Sequence, residues 1–145
     1  MTRKLSLTLV LCLALTGVAF ALGSYELDQA KAAMDRGDFR YAMDQFRYLS
    51  QSNDPRVARE AAYFTGFCFV KMQDPWNAIR AYEDFLSRYD RYSDNTLLPD
   101  AMYVLGRTYE EVSRYDDARR IYRRCLDRFP YGEFASKCQD RMRVL

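Results

Sequence analysis

Small and aromatic side chains recur at fixed spacings along this chain. A small residue is followed twelve positions later by an alanine, and four positions after that by an aromatic residue. The three occurrences are Ala30, Ala42 and Phe46; Gly66, Ala78 and Tyr82; and Gly106, Ala118 and Tyr122. Residues four apart lie on the same face of an α-helix, and small residues let two helices approach closely. The pattern therefore predicts three antiparallel helical hairpins that bury their apolar faces by stacking on each other.

Turn and capping residues fall between the predicted helices. They are Gly37-Asp38, Asp54-Pro55, Asp74-Pro75, Leu98-Pro99-Asp100 and Pro130-Tyr131-Gly132. Aspartate is favoured as an N-cap, and proline fits the first turn of a helix. After the last turn, Phe134, Cys138 and Met142 are spaced by four and predict one further helix over residues 133–144. A single helix at this end would cap the stack.

The third occurrence contains a fuller pattern: Met102-x2-Leu105-Gly106-x2-Tyr109, then Tyr115, Ala118-x3-Tyr122 and Pro130. This pattern resembles the tetratricopeptide repeat (TPR), a helix–turn–helix unit of roughly 34 residues. The resemblance implies an all-α TPR helical-hairpin solenoid over residues 22–145. It implies three repeats, at about 24–54, 57–90 and 97–130, followed by the capping helix.

The repeats are unevenly spaced. Ala42 and Ala78 are 36 residues apart, whereas Ala78 and Ala118 are 40 residues apart. The extra residues fall mainly in the segment 89–100. One interpretation is a longer loop between repeats, which costs little stability. The other is a loop that contacts a partner through Tyr89 and Tyr92.

The first 21 residues have the pattern of a secretory signal. Arg3 and Lys4 precede an uncharged run over residues 5–20, and Ala19-Phe20-Ala21 is a small-x-small cleavage site. We expect cleavage after Ala21 and a periplasmic or secreted mature protein. An uncleaved anchor in the inner membrane is the alternative, because residues 5–22 just reach the length of a membrane span. Lipidation of Cys12 is a third alternative, although Leu11 stands where a small residue is required.

Composition narrows the classes of function. The 145 residues contain 22 basic and 20 acidic side chains and no histidine. Removal of residues 1–21 would leave 20 of each, a balance that does not favour binding to nucleic acid. Histidine-based catalysis and histidine metal sites are excluded, and the sequence has no phosphate-binding loop or G-x-S-x-G motif. We therefore expect no enzyme activity, no cofactor, no metal and no small-molecule substrate.

The combination of a signal with TPR-like repeats is similar to TPR proteins of the bacterial envelope. Those of the Tol–Pal system and of the outer-membrane barrel assembly machinery are two such groups. The resemblance implies a scaffold that binds a partner protein or peptide in its concave groove, in association with an outer-membrane or cell-envelope complex. The alternative is a structural component of an envelope or appendage assembly, held by its edges or loops.

The resemblance also indicates which residues line the groove. In TPR proteins the first helix of each repeat faces the groove, chiefly through its fifth and ninth positions. These positions correspond here to Leu27, Lys31, Tyr63, Phe67, Tyr103 and Arg107. Tyrosine, phenylalanine and arginine are suited to protein recognition because they form large or strongly polar contacts.

Three cysteines would remain after signal cleavage, and an exported protein can form disulfides. Cys68 lies in the most apolar stretch and is expected to be a buried free thiol. Cys125 and Cys138 are predicted to lie on facing sides of adjacent helices. They either form a disulfide or remain two reduced, closely packed thiols.

Overall fold

The structure is a computed structural model that describes residues 21–92 and 95–145. This part of the chain forms helices and contains no strand. The helices are α1 over residues 21–35, α2 (Phe39–Leu49), α3 (Pro55–Lys71), α4 (Pro75–Tyr89), α5 (Leu98–Glu111), α6 (Tyr115–Arg128) and α7 (Glu133–Val144). The predicted all-α fold is confirmed.

The capping residues identified in the sequence begin two of the helices. A side-chain oxygen of Asp54 accepts hydrogen bonds from the backbone N–H groups of Arg56, at 2.9 Å, and Val57, at 3.4 Å. Asp74 accepts one from the backbone N–H of Asn77 at 3.1 Å. A proline follows each aspartate at the start of α3 and α4. These contacts satisfy N–H groups that have no partner within the helix.

Each hairpin turns through one residue with a left-handed backbone. Gly37, Gln73 and Ser113 have φ angles of 87°, 58° and 59° and occupy the same place in their hairpins. Glycine adopts this conformation without a steric penalty, whereas glutamine and serine do so less readily. The turns join α1 to α2, α3 to α4 and α5 to α6.

Successive helices pack against each other and share a core. One buried cluster joins α1 and α2 to α3, and a second runs from α3 to α7. The largest fully buried side chains include Phe46, Tyr82, Phe85 and Tyr122. α7 packs against both α5 and α6 and covers the end of the third hairpin. The layout is a row of hairpins closed at one end by a single helix.

In two of the hairpins, a glycine of the first helix lies directly against a tyrosine ring of the second helix. A Cβ atom added to Gly66 would lie 2.9 Å from Cε2 of Tyr82. One added to Gly106 would lie 2.5 Å from Cζ of Tyr122 and closer still to the neighbouring ring carbon. Carbon atoms in contact normally stand about 3.5–4.0 Å apart. The close approach of the paired helices therefore requires glycine at both positions.

The two tyrosines differ in the hydrogen bonding of their hydroxyl groups. We therefore expect Tyr82→Phe and Tyr122→Phe to have different effects on the free energy of unfolding. The Tyr122 hydroxyl donates a 2.5 Å hydrogen bond to Oε1 of Glu110. The buried Tyr82 hydroxyl has no hydrogen-bond partner among the described residues. Tyr122→Phe should lower the free energy of unfolding by about 1–2 kcal/mol, whereas Tyr82→Phe should leave it unchanged or raise it. Urea denaturation measures both, and equal losses would contradict the assignment.

The segment between the second and third hairpins begins later than the sequence suggested. α4 continues to Tyr89, whose ring packs against Phe85 at 5.3 Å between centroids. Tyr89 is therefore a helix residue and not part of a loop. Tyr92 is exposed, and its ring lies 6.3 Å from that of Tyr89. Residues 93–94 of this segment lie outside the described residues.

The predicted signal also lies outside the described residues, except for Ala21 at the start of α1. Within the described ranges, none of the helices combines the length and the apolar character needed to cross a membrane.

Candidate protein-binding groove

The first helices of the hairpins form one continuous row with the capping helix. Nζ of Lys31 on α1 lies 2.5 Å from Oε2 of Glu60 on α3. The hydroxyl of Tyr63 on α3 donates a hydrogen bond to Asp100 on α5. The ring of Tyr103 on α5 lies 6.1 Å from that of Phe134 on α7. α1, α3, α5 and α7 therefore present a single surface, as the concave side of a helical-repeat solenoid does.

Two of the six predicted groove residues belong to the core. Leu27 is 1% exposed and Tyr63 is 6% exposed. Leu27 packs within the cluster that joins the first three helices, and Tyr63 packs against Tyr82 and Phe85 at 5.9 Å between ring centroids. Burial, followed by the hydrogen bond and charge of Asp100, raises the pKa of Tyr63 well above its ordinary value. Leu27 and Tyr63 are therefore corrected to core residues and are not part of the accessible groove.

The other four predicted residues retain accessible surface. Lys31, Phe67 and Tyr103 are half-buried, and Arg107 is exposed. Arg107 donates a 3.3 Å hydrogen bond from Nη1 to the hydroxyl of Tyr103. Phe67 packs its ring edge-on against Phe64 at 6.5 Å. These four residues lie on α1, α3 and α5.

The capping helix adds two side chains to this surface that the sequence reasoning did not include. Nζ of Lys137 lies 5.6 Å from the ring centroid of Tyr103 and 4.9 Å from that of Phe134. The same amine forms a 2.5 Å ion pair with Glu133. Lys137 could have been identified from the sequence by treating the capping helix as the first helix of a further repeat. In that register Lys137 takes the second position, which Asp100 takes in the third repeat. We define the groove face as the accessible residues Lys31, Phe67, Tyr103, Arg107, Phe134 and Lys137.

Cations stacked on aromatic rings characterise this surface. Lys31 lies 5.2 Å from the centroid of Phe64, and Lys71 lies 5.1 Å from that of Phe67. A cation over an aromatic face is attracted to the ring, which holds the long side chain in place. The same rings remain partly accessible. The groove face thus offers flat apolar surfaces beside ordered positive charges.

Glu110 joins the third hairpin to the cap at the end of this surface. Its side chain is only 10% exposed and forms a bidentate ion pair with Arg141 of α7. It also accepts the hydroxyl hydrogen bond of Tyr122. Burial alone would raise the pKa of Glu110, but the hydrogen bonds from Arg141 and Tyr122 outweigh it and lower the pKa below its ordinary value. Arg107 stands 3.9 Å from this carboxylate, which already has two closer partners.

Basic residues also line the exposed side of α6. They are Arg119, Arg120, Arg123, Arg124 and Arg128. Asp90 forms ion pairs with Arg124 and Arg128, each at 2.5 Å. Asp116 lies 3.0 Å from Arg119, and Asp117 pairs with Arg120. The interleaved acidic residues make this a mixed-charge face and not a uniformly positive one.

The described residues contain no group of three or more cysteine, aspartate or glutamate side chains that could hold a metal ion. The described cysteines Cys68, Cys125 and Cys138 are buried thiols in the structure. The disulfide between Cys125 and Cys138 remains a prediction. Burial raises the pKa of Cys68 to about 11, so that this thiol is protonated at neutral pH.

Comparison with known proteins supports the repeat interpretation. Residues 100–130 match the family model of the tetratricopeptide repeat. The crystal structure of the P58(IPK) TPR domain at 2.5 Å is similar to this chain, with a TM-score of 0.66 and 16% sequence identity. The similarity covers 87% of this chain and 33% of that chain, so this protein spans about a third of its length. A search of curated proteins finds no match.

At this level of identity the likeness shows the fold alone. The fold is an all-α TPR helical solenoid. Folds of this kind are in general protein–protein interaction scaffolds, and TPR domains are typically non-catalytic.

Proposed function

We propose that this protein is a non-enzymatic scaffold that binds a partner protein through the groove face. The observation that carries the proposal is the continuity of accessible aromatic and cationic side chains from α1 to α7. Exposed aromatic residues and arginine contribute a large share of the binding energy in protein interfaces. A solenoid presents such side chains along an extended concave surface that suits an elongated peptide segment or helix.

The chemistry of the groove face favours a partner segment that combines a carboxylate with apolar side chains. Arg107 is exposed and uses one N–H group on the Tyr103 hydroxyl. Its nearest carboxylate, Glu110, is already bound by Arg141 and Tyr122. A guanidinium with unused donors binds carboxylates strongly because two parallel hydrogen bonds can form. The rings of Phe67 and Tyr103 on the groove face would then cover apolar side chains of the same segment.

We propose that this binding takes place in the cell envelope. The support is the signal pattern of residues 1–21, which is typical of export. N-terminal sequencing of protein from envelope fractions should find a chain that begins at Leu22. A chain that begins at Met1 in the membrane pellet would instead favour an uncleaved anchor.

Affinity capture with matched double variants tests the binding surface. The groove variant combines Phe67→Ala with Arg107→Ala. The control variant combines Tyr131→Ala with Arg123→Ala, which removes the same kinds of side chain from an exposed turn and from the outer side of α6. We expect wild type and control to capture the same protein from envelope extract. The groove variant should bind it at least about 10-fold more weakly, because it loses two side chains of the type that dominates interfaces.

The helical content and urea midpoint of both variants establish that they are folded. Equal capture by the folded groove variant and wild type would refute the groove as the binding surface.

The exposed surface of the first hairpin supports a second candidate function. In this alternative the protein is a structural component of an assembly and is held by the end that the first hairpin forms. Exposed apolar side chains gather on its outer surface: Leu22 and Tyr25 on α1, and Tyr41 and Tyr48 on α2. No preceding hairpin covers this end within the described residues. In the capture experiment, loss of the partner in a Tyr25→Ala, Tyr48→Ala variant, with the groove variant unaffected, would support this alternative.

A further inference from the structure

Two buried cysteines meet where the capping helix joins the last hairpin. Cys125 lies in the last half of α6, and Cys138 lies in the middle of α7. Both are fully buried in the same core cluster. The interaction of the two thiols lowers the pKa of Cys125 and raises that of Cys138, so the two side chains lie next to each other. The Cys125 thiol also lies 3.9 Å from the backbone carbonyl oxygen of Pro99 on α5.

Contacts other than the two sulfurs fix the position of α7. The ion pair between Arg141 and Glu110 joins α7 to α5, and the rings of Phe134 and Tyr103 pack together at 6.1 Å. A disulfide needs two cysteines whose Cα atoms are within about 7 Å and whose side chains point toward each other. α7 also packs directly against α6, with both cysteines in the core, so the fold brings the two residues together for a bond.

We propose that Cys125 and Cys138 form a disulfide that fastens the capping helix to the last hairpin. The oxidant is a small or protein disulfide, of which glutathione disulfide is the simplest example. One cysteine thiolate attacks the glutathione disulfide, forming a mixed disulfide and releasing one glutathione thiolate. The other cysteine thiolate then attacks the mixed disulfide and releases the second glutathione. The two cysteines lose two electrons and two protons, and two reduced glutathione molecules gain them.

The burial of both thiols determines when this exchange occurs. A disulfide reagent cannot reach them while α7 is packed in place, because neither side chain is exposed. The reaction therefore takes place during folding or while the terminal helix is transiently detached. Once formed, the bond closes a loop between residues 125 and 138, which restricts the unfolded chain and stabilises the attachment of α7.

Cys68 provides an internal contrast. It is also fully buried, but it lies on α3 in the cluster formed with α1 and α2. Cys125 and Cys138 belong to the other cluster. Cys68 should remain a thiol under conditions that oxidise the pair.

The disulfide also affects the groove face, an effect that rests on the proposed function. α7 supplies Phe134 and Lys137, which pack on Tyr103 at the end of that surface. Fastening α7 would keep these side chains in place. The disulfide itself can be tested without any partner.

Peptide mapping of the full chain tests the proposal. The denatured protein is refolded once in a mixture of reduced and oxidised glutathione and once in excess reductant. Free thiols are then blocked under denaturing conditions, and the protein is digested with trypsin without reduction. Cleavage after Arg124, Arg128, Lys137 and Arg141 releases residues 125–128 and 138–141 as separate peptides. In the glutathione sample we expect these two peptides to be joined, with the Cys68 peptide carrying the blocking group.

Thermal unfolding provides the second readout. The oxidised protein should have a melting temperature roughly 5–10 °C above that of the reduced protein. The difference should vanish in Cys138→Ala and persist in Cys68→Ala. Recovery of both peptides unlinked after oxidative refolding, or linkage of either peptide to Cys68 or Cys12, would overturn the proposal. Because neither result depends on partner binding, failure here is distinguishable from failure of the proposed function.

Discussion

Gly106→Ala is expected to lower the free energy of unfolding by about 2–3 kcal/mol. The added methyl group would overlap the ring of Tyr122, with its carbon 2.5 Å from Cζ. That ring is fully buried, and its hydroxyl is held by Glu110. The ring therefore cannot move aside without breaking a partly buried hydrogen bond, so the strain must be taken up by separating α5 from α6. This cost exceeds the gain of about 1 kcal/mol that alanine brings to a helix interior.

Two other glycines provide graded comparisons for this variant. Gly66→Ala meets the ring of Tyr82 at 2.9 Å, and that tyrosine has no hydroxyl bond to lose among the described residues. Its expected loss is about 1 kcal/mol. Gly23 lies in α1, where an added Cβ atom would be in ordinary contact with Val57 at 3.8 Å. Gly23→Ala should be neutral or slightly stabilising. The urea midpoint should be highest for Gly23→Ala, lower for Gly66→Ala and lowest for Gly106→Ala. Any other order would contradict the packing described above.

Glu110→Gln is expected to cost about 2 kcal/mol at neutral pH. The substitution removes the charge that Arg141 and Tyr122 share at the junction of α5, α6 and α7. The partly buried guanidinium of Arg141 would lose its carboxylate and keep only neutral acceptors. Because the network holds the cap, hydrogen exchange should increase first in α7.

The cost of Glu110→Gln should also depend on pH. The interactions of Glu110 lower its pKa in the folded protein below the ordinary value of 4.5. A carboxylate with a lowered pKa contributes stability that is fully present above its unfolded pKa and is lost as the pH falls through its folded pKa. The difference in unfolding free energy between wild type and Glu110→Gln should therefore be constant from pH 7 to about 5. It should shrink as the pH is lowered below about 4.5.

Glu133→Gln is the matched control. Glu133 is also a carboxylate paired with a cation of α7, Lys137, but its side chain is 71% exposed. An exposed pair contributes little, so this variant should change the stability by less than about 0.5 kcal/mol. A Glu133→Gln loss as large as that of Glu110→Gln would show that the buried network has no special role.

The helices and their pairing could be predicted from the sequence because their signals are local. The recurring small and aromatic residues place both helices of each hairpin, and Asp54 and Asp74 cap the helices that follow them. The spacing even indicated the close approach of helices at Gly66 and Gly106. The predicted capping helix over residues 133–144 coincides with α7.

The accessible surface could not be predicted in the same way. Leu27 and Tyr63 occupy the fifth position of their repeats, as does Tyr103, yet only Tyr103 keeps accessible surface. The difference depends on what the next helix offers. Asp100 of α5 covers the hydroxyl of Tyr63, whereas Phe134 and Lys137 of the shorter capping helix leave part of Tyr103 uncovered. The ion pair of Glu110 with Arg141 spans 31 residues, and no local pattern indicates it.

Site-specific photocrosslinking tests the central claim, that a partner protein binds on the groove face. A photoreactive phenylalanine analogue is placed at Phe67 in one protein and at Tyr131 in another, so that each replaces an aromatic ring. Phe67 lies on the groove face, and Tyr131 is 90% exposed in the turn before α7. Irradiation in envelope extract should join the Phe67 protein to the same partner that affinity capture identifies and leave the Tyr131 protein without that adduct. Crosslinking of the partner to the analogue at position 131 and not to the analogue at position 67 would contradict the claim.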